Sequence, residues 1–245
     1  MKKLLLVCAP GDSRLGTALP TLLQHLLEQE RQDPVLVSLN EEFEEADHFW
    51  DLADAPTGSD LVRFLDQGAV TLLFVTPSEI EALIGYIEAF EVFDLLEELD
   101  THLTVLHITS GDLHENDQFL DLTQFISSNA DYIHALPHES EEEAVFSEPF
   151  DRTMDFLDSR EIQMPRTREM DLALESCQVR LASALKFPPA LPPFVKNLLG
   201  QWVSEASQAF EFCRDRILPE EDPSVRLSHR YFSRRGERRA AVHAA

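Results

Sequence analysis

Five short apolar runs constrain this chain more than any other feature: "KLLLVCA", "PVLVSL", "AVTLLFVTP", "HLTVLHIT" and "ADYIHAL". The first is continuous in apolar residues, as a strand covered on both faces should be. Between the five runs stand patterns with helical periodicity. That alternation predicts an α/β fold, a mostly parallel sheet of five or more strands flanked by helices, with a helical C-terminal extension.

The helical patterns are specific. "ALPTLLQHLLEQER" places leucines 19, 22, 23, 26 and 27 on one face, with Pro20 in the first turn, where a missing N–H costs little. "SEIEALIGYIEAFEVFDLLEEL" reads as one long amphipathic helix with Ser78 as its N-cap, and "ENDQFLDLTQFISSN" as another helix. The polar, acidic stretch after "PVLVSL" reads as a loop with one short helix starting near Ser59. After about residue 138 the pattern changes. "HESEEEAVFSEPFD" is acidic and irregular, and Glu141–Glu143 read as a solvated loop. "REMDLALESCQVRLASAL" and "PPFVKNLLGQWVSEASQAFEFCRDRIL" read as helices separated by "KFPPALPP". The second carries Val195, Leu198, Leu199, Trp202, Val203, Ala206 and Phe210 on a packing face. The expected organisation is an α/β core over 1–138, an acidic loop and core-packing helices over 139–215, and a flexible tail over 216–245.

Charge sets the partners. A formal −25 over 245 residues repels nucleic acid, anionic lipid and free nucleotide, and favours basic proteins. The charge is uneven. From Ser224 onward Arg226, Arg230, Arg234, Arg235, Arg238 and Arg239 face only Glu237, a formal +5 that leaves −30 on the rest. That tail is the one segment suited to a polyanion, or to docking on the acidic body. No apolar run approaches the roughly 20 residues that span a bilayer. The stretch after Lys2 and Lys3 is too short for a signal peptide, so a cytoplasmic protein without a membrane span is expected. Cys8, Cys177 and Cys213 are widely separated and read as buried thiols.

The first apolar run leads into "APGDSRLGTALP". Gly11 and Gly16 stand five apart, the spacing of a P-loop, in which backbone N–H groups and a helix N-terminus cradle phosphates. Thr17 and Ala18 then occupy the places of the phosphate-binding lysine and the Mg²⁺-binding hydroxyl. Lys2 and Lys3 lie at the wrong end of the strand. Between Lys3 and Arg152 the only lysines or arginines are Arg14, Arg31 and Arg63, of which Arg14 alone sits in the loop, next to Asp12 and Ser13. The strands that should end in a metal-binding aspartate end instead near Ser38, Asn40 and Thr76.

With the strand, "GDSRLGTA" and the leucine-rich helix in this order, the chain resembles the deviant-P-loop ATPases of the ParA/MinD type, in particular the plasmid partitioning and mobilisation branch. "LTVLHITSGD", "ADYIHALPHES" and the proline-marked, tryptophan-bearing C-terminal helix follow the same order over roughly residues 1–215. The resemblance implies a P-loop NTPase-like fold, homodimerisation and a cytoplasmic assembly with cargo or DNA. Gly11 and Gly16 match the loop glycines, Asp12 stands where the family's signature lysine would be, and Val75 near the place of the later-strand aspartate. The expectation is therefore a degenerate member, not an ATPase, that serves as a binding or regulatory component. Its candidate nucleotide loop is Gly11, Asp12, Ser13, Arg14, Gly16 and Thr17, with no catalytic residue, no metal and no resident cofactor. Protein partners are expected, and DNA contact only through the tail. Two alternatives stay open: an ATPase that binds ATP and Mg²⁺ through a loop rewired around Arg14, and an unrelated α/β interaction module.

Other constellations are weaker. His102, His107 and His114 with Asp112 and Asp117 have metal-ligand chemistry, but a strand between the outer histidines holds them too far apart to share an ion. Thr76, Ser78, Ser110 and Asp112 fall at strand carboxyl ends, where open α/β sheets bind ligands, and also suit helix caps and turns. Ser13, His107 and Asp112 make a triad on paper without a nucleophile elbow.

Overall fold

The first apolar run becomes the central strand of the sheet. β1 (Lys2–Cys8) is hydrogen-bonded to a parallel strand on each side, and its side chains of both parities are buried between the layers on the two faces. Leu5, Val7 and Ala9 enter one apolar core and Leu4, Leu6 and Cys8 the other. This explains why the run is continuous rather than alternating. The computed structural model describes residues 1–10, 14–53, 58–109, 113–137, 148–187 and 190–219. Among them stand β2 (Pro34–Ser38), β3 (His48–Phe49), β4 (Val70–Val75), β5 (Thr101–Ile108), β6 (Asp131–Leu136) and β7 (Arg160–Gln163). All seven strands pair in parallel, in the order β3-β2-β4-β1-β5-β6-β7. The expected fold class is the observed one.

Helices cover both faces. α1 (Arg14–Gln29), α7 (Arg168–Ser176), α8 (Leu181–Lys186), α9 (Pro193–Glu211) and α10 (Arg214–Ile217) contribute to the first core. α2 (Ser59–Leu65), α3 (Ile80–Ala89), α4 (Val92–Glu98) and α5 (Leu113–Ile126) contribute to the second, and α6 (Glu148–Phe156) places Met154 against Leu120 of α5. The face expected on the last long helix is a packing face: Val195, Trp202, Ala206 and Phe210 are buried and Leu199 and Val203 half-buried.

Several expectations are corrected. α1 starts four residues before Ala18, so Pro20 lies inside the helix and not in its first turn. The helix still forms because Leu15, Leu19, Leu22, Leu23 and Leu27 are buried, a gain that offsets one absent backbone bond. The long helix expected over 78–99 is three pieces: a turn of 3₁₀ helix at Pro77–Glu79, then α3, then α4 after Glu91 adopts a left-handed backbone with φ 48°. Its cap is Thr76 rather than Ser78. Likewise Gln178, at φ 57°, separates α7 from α8. The acidic region yields α6, and β7 adds a strand to the sheet where only irregular chain and helices are expected.

Polar ties fix the added layers. Asp47 receives Gln24 of α1 at 2.7 Å, the Leu36 amide of β2 at 2.9 Å and Lys186 of α8 at 2.6 Å, joining three elements through one carboxylate. Arg216 of α10 is buried and donates to the carbonyls of Tyr132 at 2.7 Å and Asp158 at 2.9 Å, while its own carbonyl accepts from Thr104 at 2.7 Å. Burial raises the thiol of Cys8 and pushes that of Cys213 up to about 12, so both are inert, whereas Cys177 is half-buried.

Candidate functional site

Three strands end level at the middle of the sheet. Cys8 lies in register with Val75 of β4 on one side and His107 of β5 on the other. The Ala9 amide donates to the Val75 carbonyl at 3.1 Å, one residue past the end of β1. The chain then leaves the carboxyl edge and re-enters as α1, whose N-terminal, positive dipole end is at that edge. This is where an open α/β sheet places a ligand.

The loop residues Gly11, Asp12 and Ser13, and the side chain of Arg14, lie outside the described residues. Arg14 opens α1, Gly16 is buried and Thr17 half-buried in its first turn. Ala18, in the hydroxyl position, is fully buried in the apolar core with Leu19 and Leu22. No lysine comes near. Lys2 pairs with Asp66 at 2.7 Å at the opposite edge, Lys3 is buried on β1, Lys186 is bound to Asp47, and Lys196 belongs to α9. Arg31 follows the far end of α1, about 24 Å along the helix from Arg14. Arg63 lies over the Phe64 ring, 5.0 Å from its centroid, on α2.

At the end of β4, Val75, near the position where the resemblance leads one to expect a metal-binding aspartate, is fully buried. Thr76 and Ser78, candidates for lining a crevice, serve instead as a cap. The Thr76 amide donates to Glu79 Oε2 at 2.8 Å, the Thr76 hydroxyl donates to the same oxygen, and Ser78 donates to Glu79 Oε1 at 2.8 Å. Both oxygens of the first carboxylate after β4 are thereby engaged locally. At the end of β2, Ser38 and Asn40 bond one another and Asn40 Oδ1 accepts from the Glu42 amide at 2.9 Å.

At the end of β5 the structure assembles a pair that sequence reasoning missed. His107 and His134 are register partners on β5 and β6, with rings stacked 5.3 Å apart and 14° from parallel. His107 also meets Phe119 of α5 at 4.6 Å, and His134 Nε2 is hydrogen-bonded to the Thr109 hydroxyl. Burial lowers His134 to about 4, and burial together with the His134 neighbour holds His107 well below the ordinary imidazole range. Both rings are neutral at pH 7. The available signal was a histidine near the end of each of two apolar runs, but pairing depends on a strand register that no single run reveals.

The other histidines disperse. His102 bonds Asp131 at 2.8 Å near the start of its strand, and His114 is exposed on α5. Ser110, Gly111 and Asp112 lie outside the described residues, so neither the paper triad nor the crevice is assembled from what is described. Among the described residues, no three His, Cys, Asp or Glu side chains could hold a metal ion. Among them, too, no helix is long and apolar enough to cross a membrane.

No protein-family model and no curated protein matches the chain. Solved structures similar to it include the MinD cell division protein of Aquifex aeolicus, at 9% identity and TM-score 0.48, covering 91% of this chain and 100% of that one. The MinC:MinD cell division protein complex of the same organism gives 10% identity and TM-score 0.41, over 91% and 99%. The cell division ATPase MinD of Pyrococcus furiosus gives 10% and 0.43, over 87% and 100%.

Proposed function

We propose that this chain is a P-loop-like protein that has lost the charges of the nucleotide cycle and acts as a binding or regulatory component. Its setting would be a cytoplasmic assembly of the plasmid mobilisation or partitioning kind. The observation that carries the reading is the fate of the catalytic positions. Ala18 and Val75 are fully buried in the apolar cores, and Glu79, the nearest carboxylate after β4, is spent on a helix cap. The described residues at this edge do not fit ATP and Mg²⁺. No lysine is available for the outer phosphates, and the positions that would hold the metal are apolar, so hydrolysis by the usual P-loop route lacks the groups that carry it.

The setting rests on the resemblance in order and pattern of the sequence. A surface of −25 supports basic protein partners, among which a second copy of this chain is one candidate, and argues against bare DNA on the body. DNA contact through Arg226, Arg230, Arg234, Arg235, Arg238 and Arg239 would be lost on truncation at Ser224 and would weaken steeply with salt.

Calorimetric titration with ATP and ADP, with and without Mg²⁺, tests the reading, with Arg14→Ala alongside. The expected result is no binding heat at millimolar nucleotide. Micromolar binding that disappears in Arg14→Ala would overturn it and identify a working loop rewired around Arg14.

A further inference from the structure

α9 is only partly covered. Between it, α1 and α8 runs an open groove of about 720 Å³, with Leu185, Leu191, Leu199 and Val203 supplying apolar surface and Gly200 and Ser204 on the α9 side. A smaller cavity of about 60 Å³ shares Gln29 and Ser207 with the groove and is also lined by Ile217 and Leu218. The two form one path along α1 and α9. It reaches the last residues the structure describes, where residues 220–245 follow.

Charge distinguishes this path from its surroundings. The chain carries 45 acidic residues, yet none lines the groove, whose one charged lining residue is Lys196, so an apolar side chain can seat there without desolvating a carboxylate while the arginines stay outside it. Glu30 and Glu211, at the smaller cavity, are already paired with Arg214. The segment that follows has matching chemistry. Val225, Leu227, Tyr231 and Phe232 are interspersed with arginines; residues 224–245 carry a formal +5, and the whole segment 220–245, with Glu220, Glu221 and Asp222, carries +2 against −27 on the rest. From Lys196 to Ser207 the helix rises about 16 Å, which about five extended residues span. The tether also makes docking intramolecular, at an effective concentration in the millimolar range.

We propose that residues 220–245 of the same chain occupy this groove, with Tyr231 and Phe232 against its apolar wall and the arginines facing the acidic surface around it. A polyanion or a partner that binds the tail must then compete with the body for it. The proposal is independent of whether nucleotide binds at the opposite end of α1.

The test uses the full chain. A nitroxide attached at Ser204→Cys in a Cys177→Ser background labels the groove, because Cys8 and Cys213 are buried. The expected result is loss of amide intensity over residues 225–235, abolished when Gly200→Trp fills the groove. A Cβ at Gly200 meets no atom within 4 Å, so that variant should keep the fold. Unbroadened tail amides would overturn the proposal, as would broadening that survives Gly200→Trp. So would broadening found only between labelled and unlabelled molecules, which would assign the groove to a second copy.

Discussion

His107 and His134 face each other across neighbouring parallel strands, rings stacked at 5.3 Å, in the buried interior beside the carboxyl edge of the sheet. Neither can take up a proton without placing a charge in a dry site beside the other. In the unfolded chain both titrate near an ordinary value of about 6.5. Their folded values are depressed, so the unfolded state binds protons first, and stability is full above about pH 6.5. It falls as pH drops below that value, toward about 4 for His134.

The first prediction follows in magnitude. A histidine held at about 4 costs about 1.4 kcal/mol per pH unit below its unfolded value, so pH 5 removes roughly 2 kcal/mol through His134, and His107 adds a loss of the same sign. Denaturant unfolding at pH 7.5 and pH 5 measures it. His107→Phe, which keeps an aromatic ring against Phe119, should remove the His107 share of that loss and make the pH slope shallower. An unchanged pH slope in that variant would show that the pair does not govern acid sensitivity.

A second prediction concerns the carboxyl edge. Val75→Asp places a carboxylate at a fully buried position on β4 rather than restoring a metal ligand. Burying an unpaired charge should cost on the order of 3–5 kcal/mol, read as a lower denaturation midpoint. A variant as stable as the parent would mean that this position opens to the site, and would reopen the ATPase alternative.

The sequence made β1, β2, β4, β5 and β6 legible because buried strands are predominantly apolar runs, unbroken after Lys3 in β1 and interrupted by threonine and histidine in β5. β7 was not legible because "REIQ" buries only Ile162, and β3 because it has two residues. The breaks at Glu91 and Gln178 carry no glycine or proline to announce a left-handed backbone. Of the candidate site, the glycine spacing and the absent lysine were plain. The Thr76–Glu79 cap is also written in "TPSE", a threonine, a proline at the first helical position and a glutamate three residues on, although Ser78 stands closer to the apolar helical pattern. The histidine pair needed the β5–β6 register, a tertiary fact.

Glu79→Ala gives the third prediction. It removes the acceptor of the Thr76 amide and of the Thr76 and Ser78 hydroxyls, at a cost of about 1 kcal/mol. Hydrogen exchange should speed up in the first turn of α3 while β1 and β5 keep their protection. Uniform loss of protection would instead make the cap a global determinant of the fold.

Gly68 precedes β4 where the β2 end of the sheet passes close by. A Cβ there would lie 2.1 Å from the Asp33 carbonyl oxygen, a backbone atom that cannot swing aside. Gly68→Ala should therefore destabilise the protein by on the order of 2 kcal/mol, while Gly85→Ala, which meets nothing within 4 Å, should be neutral or better. Thermal unfolding of the two variants side by side separates steric conflict from a general effect of removing glycine.

Arg216 carries the last prediction, because its guanidinium joins α10 to β6 and to the turn before β7 while Thr104 of β5 holds its carbonyl. Arg216→Met keeps much of the aliphatic stem but leaves the Tyr132 and Asp158 carbonyls without that donor, an expected loss of roughly 2–3 kcal/mol. The damage should be local before it is global. Exchange protection should fall first over α10 and β7, and Cys213, whose thiol is buried beside α10, should become reactive toward a thiol reagent below the denaturation midpoint. If Cys213 stays unreactive until the whole chain unfolds, α10 is anchored by its apolar contacts through Ile217, and the arginine is dispensable to it.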